Sequence, residues 1–542
     1  MVSAVLARLT SVSDAWVDAV LAHPQTQDHR GTMAVIRNLV VAHLNPLSRH
    51  QDDPRTLQLA GEYARALAAQ QGADGLFSSA GNASSPPDSA FTLNDLALTR
   101  RIAGDAAGRL VDDLIVIAHR AMPALVAGGV HTPNHRWEIA AALAALADLH
   151  PHAQARAEQW LAEGIDVDRD GVYSERSPNY AALVTNHCLL ALADTLGVEP
   201  LVDIVHRSLH VHLDLADDDG VVESVQSRRQ DQGVEVSLTC FHAQLRHFAV
   251  TGCDRCLRGA HRSEPSSAPA ALDALAELVL HPELAIDLPP APAAAPIRRH
   301  LDLGLLVTQH DRVRTVVYGG SDVPAQGRVG SGLAANPTFL RFRNGTAVVR
   351  SARLSRGFFG LGPFRADRME VAGDVVHLEE MMRAYYYQPL DRSRLRRDGT
   401  YELASEGRYS SAMSFAMRRS TELPLSTGIR CSLAPDGVAL DVEVEGTHTD
   451  VSLELALGAG LLTGAEEVEP DVWRMAGFEA VLRHGPDAVV ITTDLPPRPD
   501  VVGRYVPGEV YSFLGGTDAL AGPRLYLSAT APVSFRVGLS AA

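Results

Sequence analysis

Pro289-Pro290-Ala291-Pro292-Ala293-Ala294-Ala295-Pro296 separates two different textures within the 542-residue chain. Proline lacks the amide proton a helix needs, and the run has no strand alternation, so it reads as a stiff linker between domains. Before it the sequence is rich in Ala and Leu, with apolar residues recurring at three and four positions across 56–71, 90–102, 139–149 and 181–196. That spacing predicts an almost wholly helical half of about ten or eleven helices. After His300 the texture turns to short β-branched runs separated by Gly, Asp and Asn: 305–308, 315–318, 338–342, 346–349, 438–444, 451–457, 488–492 and 533–537. Many short strands with turn signals and no helical period between them predict antiparallel sheets packed as a sandwich. The expected fold class is α+β multidomain: an (α/α) toroid over 1–287, a Pro/Ala-rich linker over 288–299, and an antiparallel β-sandwich over 300–542.

The toroid is suggested by a weak internal repeat. Three times a helix ends in an Asp-Gly turn followed by polar residues and a new helix. The turns are Asp74-Gly75, leading to Ser85-Pro86; Asp170-Gly171, leading to Ser177-Pro178; and Asp219-Gly220, leading to Arg228-Arg229. Repeated helical hairpins place equivalent loops at one end of an array, where they face a common cleft. The second loop, D-G-V-Y-S-E-R-S-P-N-Y over 170–180, offers a glutamate, an arginine and a phenol within six positions, and N-H-R-W-E over 134–138 forms a second polar cluster upstream.

A formal net charge of −17 argues against a general nucleic-acid binder, whose phosphate contacts need a basic surface. The N-terminal segment, broken by Asp14 and Asp18 at helical spacing, reads as an amphipathic helix rather than a signal peptide. No run is long and apolar enough to span a bilayer. The expected location is cytoplasmic as the sequence stands, or secreted or periplasmic if a leader has been removed. Five cysteines make no disulfide framework. Cys253 and Cys256 form a lone C-x-x-C; without a second thiolate pair or a βαβ setting they read as two helix-end cysteines, a zinc or redox role being the less favoured alternative.

A helical toroid followed by a large antiparallel sandwich resembles the polysaccharide lyases of the heparinase II/III, alginate and hyaluronate/chondroitin type. The D-G-x-x-x-E-R-S-P-x-Y run resembles the segment of heparinase II/III-like proteins that precedes or carries the catalytic tyrosine. N-H-R-W-E-I resembles the toroid segment that supplies an asparagine, and sometimes a histidine, to the substrate carboxylate. The histidine-rich element common early in the sandwich of such lyases has no counterpart over 330–342, and His310 and His377 lie in no family-like context. No cofactor or metal is expected, with a divalent cation in the sandwich left open.

The resemblance implies cleavage of a uronate-containing poly- or oligosaccharide by β-elimination, which needs a neutralised carboxylate, a base, and an acid for the leaving oxygen. The implied catalytic set is Asn134 on the carboxylate, Tyr180 for proton transfer to the leaving group, and His135 for the carboxylate side or the initial abstraction. The implied substrate-binding set is Arg228, Arg229, Glu175, Arg176 and Trp137 in the toroid, with Arg383, Tyr385 and Tyr386 in the sandwich. Bland readings stand beside these. Asn134 also reads as a helix cap, Tyr180 as a core phenol, Glu175 and Arg176 as an ion pair, Arg228-Arg229 as a solvated pair, and His187 as a buried histidine. Arg383 to Tyr386 equally fits a half-buried strand, and Arg365 and Arg368 are weaker candidates of the same kind. Two alternatives are a glycoside hydrolase using a carboxylate pair drawn from Glu138, Glu175, Asp88 and Glu223, and a non-catalytic glycan-binding relative.

Overall fold

The computed structural model describes residues 3–79, 81–293, 295–510 and 518–542; Ala294 of the linker lies outside them. The chain divides into two compact units, Met1–Ser224 with Val234–Ala294, and Val225–Gly233 with Ala295–Ala542. The short segment Val225–Gly233, which carries Arg228 and Arg229, thus groups with the second unit.

The first unit is built of α1 (Ala4–Ala22), α2 (His29–Leu44), α3 (Pro54–Ala69), α4 (Pro86–Ala103), α5 (Arg109–Ala127), α6 (His135–Ala145), α7 (Ala153–Leu161), α8 (Pro178–Tyr180), α9 (Asn186–Leu196), α10 (Pro200–Leu215), α11 (His242–Val250), α12 (Asp254–Arg262) and α13 (Ala270–Leu280). Helices α2, α4 and α6 bury residues on most of their faces, as inner elements must. α2 packs on α4, α4 on α6, and α6 on α9; α11 packs on α13, and α13 returns to α2 and α4. The gap between α9 and α11 is bridged by a π-helical turn, Ala181–Thr185, against the 3-10 turn Leu238–Phe241. The inner helices therefore close into a ring, with α3, α5, α7, α10 and α12 packed outside it. The seam is sealed by Val5 and Leu9 of α1, Val41 of α2 and Leu275 and Leu278 of α13, all buried in one cluster.

The Asp-Gly repeat has a common geometry. The amides of Gly72, Asp168 and Asp217 bond the carbonyls of Leu76, Val172 and Val221, and the glycine amides of Gly75, Gly171 and Gly220 bond back to the first residue of each turn. Each loop then forms a small antiparallel pairing: β1 (Phe77–Ser79) with β2 (Asn82–Ser85), Val167 with Tyr173, and β3 (Val221–Val222) with β4 (Val236–Ser237).

The second unit contains β5 (Ile297–Leu301), β6 (Leu305–His310), β7 (Val313–Tyr318), a helical turn α14 (Val323–Gln326), β8 (Leu340–Asn344), β9 (Ala347–Arg356), β10 (Arg368–Ala372), β11 (Val375–Tyr387), β12 (Ala404–Ser405), β13 (Ser410–Ser411), β14 (Ser420–Ala434), β15 (Gly437–Leu457), β16 (Leu461–Thr463), β17 (Ala465–Glu469), β18 (Val472–Met475), β19 (Glu479–His484), β20 (Asp487–Thr493) and β21 (Arg524–Ala541). Except for the parallel pair β18 and β21, its main sheet is antiparallel. The runs 438–444 and 451–457 are one strand, β15, whose first half pairs with β14 and whose second half pairs with β9, while β21 follows both halves. Side chains from β6, β9, β11, β14, β15 and β20 share one buried core, so the sheet folds over on itself around that core. Of the hairpin of β10 and β11 the sequence offered only the half-buried strand over Arg383 to Tyr386, because Glu379, Glu380 and Arg383 interrupt the apolar alternation of β11, and β14 escaped notice with Pro424 and Gly428 inside its run.

Candidate active site

The site lies where the inner helices of the first unit begin. Asp28 caps α2 by accepting from the Gly31 amide at 2.8 Å, Ser85 caps α4 from the Asp88 amide at 3.2 Å, and Ser177 caps α8 from the Tyr180 amide at 3.0 Å. Pro86 and Pro178 occupy the first turn, where no amide proton is needed. Side chains from these first turns meet around the ring. Arg30 of α2 pairs with Asp88 of α4, which also accepts from Asn82 at 2.9 Å. The Arg30 guanidinium lies 3.9 Å over the Phe91 ring, and Phe91 meets His135 edge-on at 6.3 Å. His135 in turn meets His131 at 4.7 Å.

The two polar clusters noted in the sequence come together here. Asn134, which begins α6, makes no side-chain cap bond; instead its Nδ2 donates to Glu175 Oε1 at 2.9 Å and Oε2 at 2.7 Å. Both residues are buried, and Asn134 Oδ1 has no hydrogen-bond partner among the described residues. The donor face of this amide is therefore taken by Glu175. The clusters are tied a second time through Asp166, which accepts from Arg136 Nη2 at 2.8 Å, from the Trp137 indole at 3.3 Å, and from Ser174. Trp137 is only 1 % exposed, so it is a packing residue beneath α6 with no face for a sugar.

Tyr180 stands half-buried at the point where α8 passes into the π-helical turn. A π turn leaves carbonyls out of helical register, and such turns concentrate at functional sites. Here the Ala182 carbonyl is satisfied by Gln244 Nε2 at 2.6 Å, Gln244 Oε1 accepts from Asn186 at 3.1 Å, and Asn186 accepts from the Tyr173 hydroxyl at 2.7 Å. Arg176, between Glu175 and the cap, holds a left-handed backbone at φ 53°, which a side chain tolerates only at a cost. His187, one reading of which was a buried histidine, is partly exposed, with Nδ1 3.6 Å from Glu277.

Glu138 sits one turn into α6 and is 2 % exposed. Burial pushes its carboxyl up to about 7, against the opposing pull of His187 and of Asn94, whose Nδ2 donates to Oε2 at 2.6 Å. Asp88 is likewise buried and paired.

In the second unit Arg228 makes a two-pronged pair with Asp322, Nε to Oδ2 and Nη2 to Oδ1, each at 2.7 Å. Arg229 leads into a 3-10 turn at Gln230–Gly233, its own amide bonded to Ser227 Oγ at 3.0 Å. Arg383 pairs with Glu422 across β11 and β14. Alternation along β11 puts Arg383, Tyr385 and Tyr387 on one face and Tyr386 on the other, so the three binding candidates Arg383, Tyr385 and Tyr386 do not share a surface. Tyr386 is 59 % exposed and packs against Phe359 at 5.3 Å, whereas Tyr385 faces Tyr387 at 6.3 Å. Arg365 is buried, its Nε donating to the Ala335 carbonyl, and Arg368 is exposed beside Glu370.

Arg30, Phe91 and His131 were missed by sequence reasoning, and Asn82 with them. The shared Ser-Pro cap of the first and second Asp-Gly loops was the signal that could have drawn attention to the first loop. Nothing local marks Arg30, which comes from a helix outside the repeat.

No protein-family model matches the chain, and no curated protein matches it in sequence. Similarity appears in the fold. The Paenibacillus xanthan lyase matches with a TM-score of 0.53 at 10 % identity, over 99 % of this chain and 56 % of that one. The Streptomyces coelicolor A3 chondroitin AC lyase, solved with chondroitin sulphate, matches with a TM-score of 0.48 at 14 % identity over 99 % of this chain and 79 % of that one. A glycosyl hydrolase family 88 protein from Bacteroides vulgatus matches with a TM-score of 0.36 at 9 % identity over 52 % of this chain and 99 % of that one. The chain thus spans just over half the length of the xanthan lyase. The likeness to the xanthan lyase is one of fold alone, which in this chain is a helical toroid followed by an antiparallel β-sandwich.

Proposed function

We propose that this protein is a lyase that cleaves a uronate-containing glycan by β-elimination, leaving an unsaturated uronate end. The observation that carries the reading is the pair of hydrogen bonds from Asn134 to Glu175, which joins the 134–138 cluster to the loop bearing Tyr180. Helix N-termini gathered at one end of the ring carry positive partial charge, which favours a carboxylate-bearing sugar over a neutral one. The fold-level likeness to a xanthan lyase agrees with this and adds no residue-level support.

In the proposed reaction the substrate carboxylate competes with Glu175 for the Asn134 amide, and Arg176, next to Glu175, adds a guanidinium. With the carboxylate neutralised, the proton on the adjacent carbon is acidic enough for His135 to remove. The electron pair then forms the double bond and expels the glycosidic oxygen, which Tyr180 protonates. Arg228, held by Asp322, and Trp137, buried, are left out of the binding set.

The test is ultraviolet absorbance during incubation with a panel of uronate polysaccharides and oligosaccharides, since elimination creates a conjugated double bond and hydrolysis does not. A rise is expected, reduced about 10²–10⁴-fold in Tyr180→Phe. New reducing ends without absorbance would replace this reading with hydrolysis, and binding without either signal would replace it with a glycan-binding role.

A further inference from the structure

We propose that His206, His210, Cys253 and Cys256 form a closed, four-ligand zinc site that staples α10 to the turn between α11 and α12. His206 and His210 lie one turn apart on α10 and so share a face. Cys253 is the N-cap of α12 and Cys256 falls in its first turn, with the Cys256 amide 3.4 Å from Cys253 Sγ. Gly252, at φ 98°, allows the sharp reversal from α11 that brings this C-x-x-C over α10. His210 Nε2 stands 3.2 Å from Cys253 Sγ, and one ligating atom from each of the four residues lies within 4.8 Å of every other. Around a tetrahedral zinc, with bonds of about 2.0–2.3 Å, ligating atoms are separated by roughly 3.3–3.8 Å. Small side-chain rotations close that difference.

A second observation points to a ligand. His206 Nε2 is buried and has no hydrogen-bond partner among the described residues, although its ring is fixed by stacking on Phe248 at 4.4 Å and by His210 at 4.3 Å. Buried polar atoms seldom go unsatisfied, and a metal bond would satisfy this one. Reading the cysteines as mere helix ends leaves it orphaned.

Two imidazoles and two cysteine sulfurs form a donor set suited to a zinc ion. Zinc binding releases the two thiol protons to solvent and leaves a dication balanced by two thiolates, a neutral unit. A set of two sulfurs and two nitrogens selects zinc over magnesium, calcium or manganese, and four protein ligands leave no open position for a substrate. The site is therefore structural, and its test is independent of any glycan activity.

The experiment is metal analysis of the purified full chain, followed by chelator stripping and titration of the stripped protein with cobalt(II). About one zinc per chain is expected. Cobalt should give the thiolate charge-transfer band and the strong visible bands of a tetrahedral site, and excess zinc should bleach both. Cys253→Ser and His206→Asn should lower bound zinc at least about tenfold, while Cys240→Ser, at a cysteine outside the cluster, should retain it. Stripping should lower the thermal midpoint and increase the reactivity of two thiols, with zinc but not magnesium restoring both. Wild-type protein that keeps its helical circular dichroism, takes up no zinc and shows no cobalt bands would overturn the proposal. So would equal zinc uptake by Cys253→Ser.

Discussion

An amide whose donor face is held by a carboxylate tolerates its own acid poorly. Asn134→Asp would set a second carboxyl against Glu175, where the amide now sits 2.7 and 2.9 Å away, and like charges at that distance cannot both ionise. The variant is expected to lose about 1–3 kcal/mol at pH 7 and much less at pH 4, where one carboxyl keeps its proton; urea unfolding at the two pH values checks this. Glu138 carries a different prediction. Its folded-state value, about 7, lies above that of the unfolded chain, so the folded state holds a proton that the unfolded state releases. The stabilisation is complete below the unfolded value and is lost as pH rises through that window toward 7, at up to about 1.4 kcal/mol per pH unit. Glu138→Gln keeps the shape without the titration. Relative to wild type it should gain stability between pH 5 and pH 7.5 in paired urea titrations, and a parallel pH dependence of the two proteins would contradict the assignment.

The repeated Asp-Gly turns are chemically alike but differ in how closely they dock. A Cβ on Gly75 would sit 2.2 Å from the Arg120 carbonyl oxygen of α5, and one on Gly171 would sit 2.9 Å from the Arg207 carbonyl of α10; at Gly220 the nearest atom is 3.8 Å away. All three have positive φ, so alanine costs about 1 kcal/mol or more at each from backbone strain alone. Steric overlap adds roughly 1–3 kcal/mol at the first two. Thermal unfolding should therefore rank Gly220→Ala as the mildest change, with Gly171→Ala and Gly75→Ala more damaging. A uniform loss across the three would mean that docking of the loop on the neighbouring helix contributes little. The helix that follows the second turn shows the limit of pattern reading. Helical spacing over 181–196 correctly signals a helix, but the π turn at Ala181–Thr185 depends on Gln244, a residue far along the chain that bonds the Ala182 carbonyl.

The second unit stands on a buried charge network that links its strands. Arg353 of β9 and Glu454 of β15 are each 1 % exposed; Arg353 Nε donates to Glu454 Oε1 at 2.9 Å, and the Tyr526 hydroxyl of β21 donates to Oε2 at 2.6 Å. The guanidinium also lies 3.8 Å over the Tyr505 ring. Removing one member strands the other charge in a low-dielectric interior. Arg353→Met is expected to cost about 3–5 kcal/mol, with much of the loss recovered in the double variant Arg353→Met/Glu454→Leu. Chemical denaturation of the single and double variants measures this, and an additive double loss would show that each residue acts through packing alone. Across the first unit the ring is closed by the return of α13 to α2, with α1 sealing the join, an arrangement to which both ends of the helical half contribute.

Period and punctuation were enough for the architecture. Helical spacing before the Pro/Ala run, short β-branched runs after it, and the recurring Asp-Gly turns all reflect local backbone preference and the face each segment must bury, and these are legible within windows of ten or twenty residues. The starts of α4 and α8 were legible where the chain repeats itself, at Ser85-Pro86 and Ser177-Pro178. Meetings between distant residues were not. Asn134 and Glu175 are 41 positions apart, and His210 and Cys253 are 43 apart. The sequence therefore showed a lone C-x-x-C and a reason to expect no metal, whereas the packed helices bring two histidines to those thiols. The strand β11 likewise separates Tyr385 from Tyr386, neighbours in sequence that alternation sends to opposite faces. Local preference selects elements, while burial and packing select which side chains from different elements share a site, and that second choice is made only when the chain folds.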